Sequence, residues 1–139
     1  PMGAILVGSQ SLIKRARRAR KVMGGSLRQA GIVAASAVYA LENNVERLAE
    51  DHANAKRLAE GLAQIPNVKT NVEEVETNLV YFEIDPAWGT ALQLEEIAAK
   101  NGVNLFSVGG VQRLRACTHM DVSSQEIEGA VERFKSILK

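Results

Sequence analysis

The chain has 139 residues, of which 46% are hydrophobic and 24% charged, and its formal net charge is +1. This composition is typical of a globular protein with a core, and the small net charge gives no general reason to expect nucleic-acid or membrane binding. No stretch approaches the ~20 apolar residues of a membrane span. The single cysteine, Cys117, excludes an intrachain disulfide and favours a reducing compartment.

The first predicted elements are a short strand and a basic helix. Residues 4–7 (Ala-Ile-Leu-Val) form a continuous apolar run, which favours a strand buried on both faces. Ser9 or Ser11 can cap the next helix, residues 12–23, which carries six cations and no acid between Lys14 and Lys21. Such a run usually forms a solvated face. The alternative is that its last residues meet an anion, and the lack of interleaved aromatic residues argues against nucleic acid.

Residues 21–29 are the most suggestive segment. Two glycines follow the basic helix, and Ser26 with Gln29 has the S-x-x-Q spacing of a capping box. A helix that begins at Ser26, with Lys21 behind it and Arg28 in its first turn, would seat a phosphate or carboxylate. The plain alternative is that the glycines only allow a turn and that the charges are solvated.

Two further helices are predicted before residue 66. Residues 29–41 are apolar nearly all round, which predicts a helix buried on most sides. Since this chain offers little to bury it, we expect its cover to come from outside these residues or from another subunit. Residues 45–62 predict an amphipathic helix, with His52 on its apolar stripe and an Arg47–Asp51 charge pair on its wet side.

Residues 67–139 predict a small α+β unit with the element order β-β-α-β-β-α. Capping-box spacings open its helices at Thr90 and Ser123. The strand at 112–117 alternates polar with apolar or small side chains, so one of its faces is polar. The predicted strands are 68–72, 78–84, 103–106 and 112–117.

The candidate functional residues of this unit lie on and after its last strand. Arg115, with Arg113 on the same side, offers a planar fork that matches a carboxylate, although both side chains could simply be solvated. The polar residues of 118–121 form either a turn or a catalytic cluster, and we favour the turn, with Asp121 or Ser123 capping the last helix. No metal-ligand spacing, Walker loop or G-x-S-x-G elbow is present in the sequence.

Three segments together resemble the C-terminal part of low-specificity L-threonine aldolases. They are Lys-Val-Met-Gly-Gly-Ser-Leu-Arg-Gln-Ala-Gly-Ile at 21–32, Tyr-Ala-Leu-Glu-Asn-Asn-Val-Glu-Arg-Leu-Ala-Glu-Asp-His-Ala-Asn-Ala at 39–55, and Arg-Ala-Cys-Thr-His-Met-Asp-Val-Ser at 115–123. The resemblance implies an α/β fold, the pyridoxal-phosphate-dependent fold type I of aspartate aminotransferase. Residues 1–44 would end the large cofactor-binding domain, and residues 45–139 would form a helix and a small α+β C-terminal domain.

The resemblance also implies a lyase that cleaves L-threonine, L-allo-threonine and related β-hydroxy-α-amino acids to glycine and an aldehyde, with pyridoxal 5'-phosphate as cofactor. Lys21 and Arg28 match positions at the cofactor site, near the phosphate or within reach of a neighbouring subunit's site. Arg115 matches the arginine that holds the substrate α-carboxylate. The Schiff-base lysine would fall just before Pro1, so no catalytic residue is assigned in this chain, and the isolated chain is expected to be inactive without the N-terminal part.

As partners, the resemblance implies an amino-acid substrate, the N-terminal part of the same enzyme and further subunits in a cytoplasmic homotetramer, a dimer of dimers. No metal, nucleic acid or membrane is expected. Two alternatives remain open: another pyridoxal-phosphate enzyme of the same fold, such as a β-eliminating lyase, or a non-catalytic truncated domain.

Overall fold

In a computed structural model that describes residues 4–139, the chain divides between Glu46 and Arg47 into two units. The first unit contains helices α1 (Gln10–Val22) and α2 (Ala30–Asn43). Ser9, one of the two predicted candidates, caps α1 by accepting a hydrogen bond from the Leu12 backbone N–H. The residues 1–3, which the resemblance places at the tail of the cofactor-lysine segment, lie outside the described part of the chain.

One expectation for the first unit is wrong. Residues 4–7 form no strand and are exposed, because a strand buried on both faces needs neighbouring strands and the described part of this unit contains none. The helix α2 forms where expected and ends at Asn43. As the sequence indicated, the described residues offer little to bury it: none of its residues is buried, and Ile32 is 76% exposed. An apolar helix surface needs an apolar partner, and α1, rich in lysine and arginine, does not supply one.

The second unit has the predicted element order. Its elements are α3 (Leu48–Ala63), β1 (Val68–Thr70), a short 3₁₀ turn (Val72–Glu74), β2 (Leu79–Ile84), α4 (Ala91–Lys100), β3 (Phe106–Ser107), β4 (Arg113–Cys117) and α5 (Ser124–Ile137). The strand predicted at 103–106 starts only at Phe106. Val103 instead lies just after the turn that follows α4, and its N–H donates to the Ala98 carbonyl.

The four strands form an antiparallel sheet in the order β1-β2-β4-β3. Side chains alternate between its faces, so Val80, Phe82 and Leu114 are buried while Arg113 and Cys117 are exposed on the opposite face. The sequence pattern predicted this polar face correctly. One face of the sheet therefore belongs to the core and the other carries the candidate functional side chains.

Three helices cover the buried face. The ring of Phe134 on α5 meets that of Phe82 on β2 edge to face, with 6.0 Å between the ring centroids. The helices α3 and α5 pack closely at Gly61, where an added Cβ would lie 2.5 Å from a methyl group of Val131. These contacts fix the sheet, and so they fix the direction of the side chains on its outer face.

Both predicted capping boxes of this unit are confirmed. Thr90 and Gln93 exchange side-chain and backbone hydrogen bonds at the start of α4, and Ser123 and Glu126 do the same at the start of α5. Ser123, rather than Asp121, is therefore the cap of the last helix. The signal was readable because a capping box depends only on four consecutive residues.

Candidate functional site

The candidate site is a row of three side chains across the outer face of the sheet. Arg115 lies on β4, which pairs with β2 on one side and β3 on the other. Tyr81 is its register partner on β2, and Phe106 is its partner on β3. Because register partners on one face stand about 5 Å apart at Cβ, the sheet brings the arginine between two aromatic rings.

Arg115 is half-buried and lacks an acidic partner. Its Nε atom is buried and has no hydrogen-bond partner among the described residues. The Arg115 guanidinium carbon lies 5.8 Å from the Phe106 ring centroid, and Arg115 takes part in none of the four ion pairs recorded for residues 4–139. A guanidinium without an internal anion is suited to bind a carboxylate from outside.

Arg113, predicted on the same side, has a different environment. Its guanidinium carbon lies 5.0 Å from the Tyr81 ring centroid, and its side chain is exposed. It lines an open depression of about 390 Å³ together with Lys69 and Glu83, and Arg115 is not part of that depression. The two arginines therefore share a face of the sheet but not a pocket, which makes Arg113 a natural comparison for Arg115.

The segment 118–122 forms a turn, as favoured from the sequence. The Val122 N–H donates to the His119 carbonyl, and the side chains of His119 and Asp121 are exposed. Thr118 is buried, and its hydroxyl donates to the Asp51 carbonyl at 2.7 Å. Thr118 therefore anchors the turn to α3 and does not join a cluster with the two exposed polar residues.

Buried polar residues on α3 are the feature that the sequence analysis missed. Asp51 and Asn54 lie on the buried stripe of α3, and the Asn54 side chain donates to the Val122 carbonyl. His52, which the sequence predicted on this stripe, is exposed. The Arg47–Asp51 pair forms at 2.8 Å but with Asp51 buried, so its predicted place on the wet side is wrong. Residues 51, 54, 55 and 58 have the spacing of one helix face, so the sequence pattern was compatible with a buried Asp51 and Asn54.

The hydrogen bond that Arg47 donates to Asp51 raises the pKa of Arg47.

The predicted capping box at Ser26 is wrong. Instead Ser26 Oγ accepts a hydrogen bond from Lys21 Nζ at 3.0 Å, and α2 begins four residues later, at Ala30. The cap position is Gln29, which has a left-handed backbone (φ 54°) and no capping side-chain bond. Arg28 therefore precedes α2 and does not lie in its first turn. The start of α2, which has no side-chain cap, is adjacent to Arg28 in the sequence.

Lys21 and Arg28 lie in the first unit, and Arg115 lies in the second. Neither Lys21 nor Arg28 has an acidic partner among the described residues. No group of three or more His, Cys, Asp or Glu side chains between residues 4 and 139 is arranged to hold a metal ion.

None of the helices described for this chain is both long enough and apolar enough to span a membrane.

Comparison with curated proteins supports the resemblance to threonine aldolases. Low-specificity L-threonine aldolase 1 of Arabidopsis thaliana is 36% identical over 139 residues, covering 99% of this chain and 38% of the relative. The low specificity L-threonine aldolase of Escherichia coli (strain K12) is 38% identical over 138 residues, covering 99% of this chain and 39% of the relative. Alanine racemase TOXG of Cochliobolus carbonum is 30% identical, with 36% of its length covered. The chain thus spans under two fifths of the length of these relatives.

Solved structures confirm the predicted fold class, α/β of fold type I. The cystine C-S lyase C-DES, in complex with its product cysteine persulfide, matches with a TM-score of 0.61 at 21% identity, covering 76% of this chain and 28% of that one. MppP, soaked with 2-ketoarginine, matches with a TM-score of 0.56 at 16% identity, covering 71% of this chain and 30% of that one. At these identities the likeness shows the fold alone. The family model described as beta-eliminating lyase matches residues 1–85. Since this match covers more than half of the 139 residues, the chain belongs to the beta-eliminating lyase family.

Proposed function

We propose that these residues are the C-terminal part of a pyridoxal-phosphate-dependent aldolase that cleaves L-threonine, L-allo-threonine and related β-hydroxy-α-amino acids to glycine and an aldehyde. The identity of 36% and 38% to two threonine aldolases supports this reaction. The observation that carries the proposal is Arg115, a half-buried arginine with no acidic partner among the described residues, held on a strand paired on both sides.

We assign residues 1–44 to the end of the large cofactor-binding domain and residues 45–139 to a helix and the small C-terminal domain. The glycines and the uncapped start of α2 lie in the first segment, and the four-stranded sheet lies in the second. The lysine that attaches the cofactor covalently is assigned to the part of the complete protein that precedes Pro1. On this assignment the 139 residues alone bind substrate groups but do not complete the reaction.

Lys21 and Arg28 are the proposed contacts to the cofactor's phosphate. Both are exposed cations that no acidic side chain of the described residues neutralises, and Arg28 precedes a helix start without a side-chain cap. Lysine, arginine and an uncapped helix start all favour a phosphate group. When bound, pyridoxal phosphate supplies an electron sink for the charge that develops at the substrate Cα.

Arg115 is the proposed contact to the substrate's α-carboxylate. Two parallel N–H···O bonds from a guanidinium fix both the position and the orientation of a carboxylate. Since β4 is paired on both sides, the Arg115 backbone cannot shift easily, and the fork is held at a constant place. Fixing the carboxylate decides how the rest of the amino acid is presented, which is the protein's contribution to choosing the bond that breaks.

The test is Arg115→Ala in the protein expressed from its complete coding sequence. We expect the KM for L-threonine to rise about tenfold to hundredfold, the usual effect of losing charge-assisted hydrogen bonds, while the absorbance of bound pyridoxal phosphate is unchanged. Arg113→Ala is the matched control, since Arg113 shares the sheet face but lines a depression to which Arg115 does not contribute. The KM of this variant should stay within about twofold. Unchanged KM and kcat in Arg115→Ala would refute the carboxylate role.

A second candidate function is a β-eliminating lyase of the same fold. The description of the family model that matches residues 1–85 favours it. Arg115 would hold the α-carboxylate in that reaction as well, so its geometry does not separate the two. The products do, because an aldolase forms an aldehyde and glycine whereas β-elimination forms ammonia and a keto acid.

We further propose that the complete protein is a cytoplasmic homotetramer, a dimer of dimers, whose reaction supplies glycine. The exposed apolar residues of α2, among them Ile32, Tyr39 and Leu41, support an assembly in which other protein surface covers this helix. Light scattering of the purified complete protein should give a tetramer mass. A monomer mass at micromolar concentration would refute the assembly.

A further inference from the structure

The short strand β3 places an exposed aromatic ring against Arg115. Phe106 is its first residue, pairs directly with Arg115, and is 59% exposed. Its ring centroid lies 5.8 Å from the Arg115 guanidinium carbon, within the range of a cation–π contact. Burial in the core does not explain a phenylalanine at this position, but contact with the guanidinium does.

Glu95 on α4 holds β3 in place. The N–H groups of an edge strand point alternately toward and away from its neighbour. The Val108 N–H donates to the Arg113 carbonyl of β4, whereas the Ser107 N–H points away and donates to Glu95 Oε2 at 2.7 Å. This hydrogen bond lowers the pKa of Glu95, so the carboxylate stays charged at neutral pH. A helix side chain thus fixes the outer edge of a two-residue strand.

We propose that Phe106 is a positioning residue for Arg115. Glu95 acts through Phe106, because it fixes β3 in the register that puts the Phe106 ring over the guanidinium. The inference rests on the proposed carboxylate role of Arg115. An arginine side chain has several rotatable bonds, and its Nε–H finds no acceptor among the described residues. The ring therefore restricts the fork before substrate arrives, which reduces the ordering cost of binding.

The neighbouring aromatic residue provides a control. Tyr81 on β2 pairs with Arg115 from the other side of β4. The guanidinium over the Tyr81 ring is that of Arg113, whose guanidinium carbon lies 5.0 Å from the ring centroid. Two aromatic residues thus flank Arg115 in one row, and only Phe106 is recorded in cation–π contact with it among the described residues. Both rings are partly exposed, so leucine at either position should leave folding intact.

The first measurement is the NMR signal of the Arg115 Nε–H group in the 139-residue chain, assigned with Arg115→Lys. We expect Phe106→Leu to move this signal, through loss of the ring current, and to speed its exchange with water. Phe106→Tyr should preserve the signal. Glu95→Ala should have the effect of Phe106→Leu, and Glu95→Gln, which keeps an acceptor for the Ser107 N–H, should restore the original behaviour. Tyr81→Leu should have the smaller effect.

The second measurement is kinetic and uses the complete protein. Phe106→Leu and Glu95→Ala should raise the KM for L-threonine by about two- to fivefold with kcat nearly unchanged, the size expected from a partly exposed cation–π contact. Phe106→Tyr and Glu95→Gln should keep the original KM. If Phe106→Leu leaves both the Arg115 signal and the KM unchanged, the inference is wrong. An unchanged KM in Arg115→Ala instead overturns the proposed function, and the NMR measurement alone then decides whether Phe106 holds the guanidinium.

Discussion

Thr118 decides how the turn after β4 is attached to the rest of the second unit. Its hydroxyl donates to the Asp51 carbonyl, its N–H donates to the Asn78 carbonyl, and its own carbonyl accepts from Asn78 Nδ2. By residue type, Thr118 belongs with His119 and Asp121, because all three can take part in catalysis. Residue type did not reveal that the first is buried and the other two exposed, since burial depends on α3, about 65 residues earlier.

Replacing Thr118 with valine should therefore destabilise the second unit. Thr118→Val removes the buried donor and places a methyl group against the Asp51 carbonyl, and we expect a loss of about 1–2 kcal/mol in unfolding free energy. Urea unfolding followed by the fluorescence of Trp88, the only tryptophan, measures it. Thr118→Ser keeps the hydroxyl and should cost less. Equal stability of Thr118→Val and the original chain would contradict the anchoring role.

At the scale of elements, most local signals predicted their elements correctly, whereas the signal that depends on distant partners did not. The boxes at Thr90 and Ser123 and the alternation along β4 were predicted because neighbouring residues determine them. The strand at 4–7 was wrong because it depends on partner strands that the described residues of the first unit lack. The box at Ser26 failed because Lys21 occupies the Ser26 hydroxyl and the helix starts later.

The crossing of α3 and α5 depends on the absence of a side chain at Gly61. Alanine normally favours a helix over glycine by roughly 1 kcal/mol, but at this position its Cβ would lie 2.5 Å from a methyl group of the buried Val131. We expect Gly61→Ala to destabilise the chain in urea. The matched control is Gly129→Ala in α5, where the nearest atom is 3.7 Å away, and this variant should gain stability. A stabilising Gly61→Ala would contradict the close packing.

The cap of α5 should make stability depend on pH. Hydrogen bonds from the Ser123 backbone and hydroxyl hold the pKa of Glu126 below its ordinary value. The folded pKa is lower than the unfolded one, so this contribution is present above the ordinary value and is lost as the pH falls through the folded pKa. Glu126→Gln keeps a capping box of the kind seen at Gln93 and should lose less stability on acidification. Parallel stability curves for the two chains between pH 7 and pH 3 would contradict this.

At the scale of the whole molecule, the two units differ in how much of their structure is self-contained. The second unit has a core of its own around Phe82, Leu94 and Phe134, so its fold could be predicted from its own pattern. The described part of the first unit contains two helices without a buried residue, and the role proposed for it rests on the resemblance of residues 21–32 and 39–55 to threonine aldolases. The relatives confirm that resemblance over 99% of the chain.

The most direct test is the product of the reaction with L-threonine, catalysed by the protein expressed from its complete coding sequence and saturated with pyridoxal phosphate. Glycine and acetaldehyde are quantified together with ammonia and keto acid, and Arg115→Ala is measured at the same substrate concentrations. The account predicts glycine and acetaldehyde in equal amounts, without ammonia, and their loss at low substrate in Arg115→Ala. Ammonia and keto acid as the products, without acetaldehyde, would contradict it.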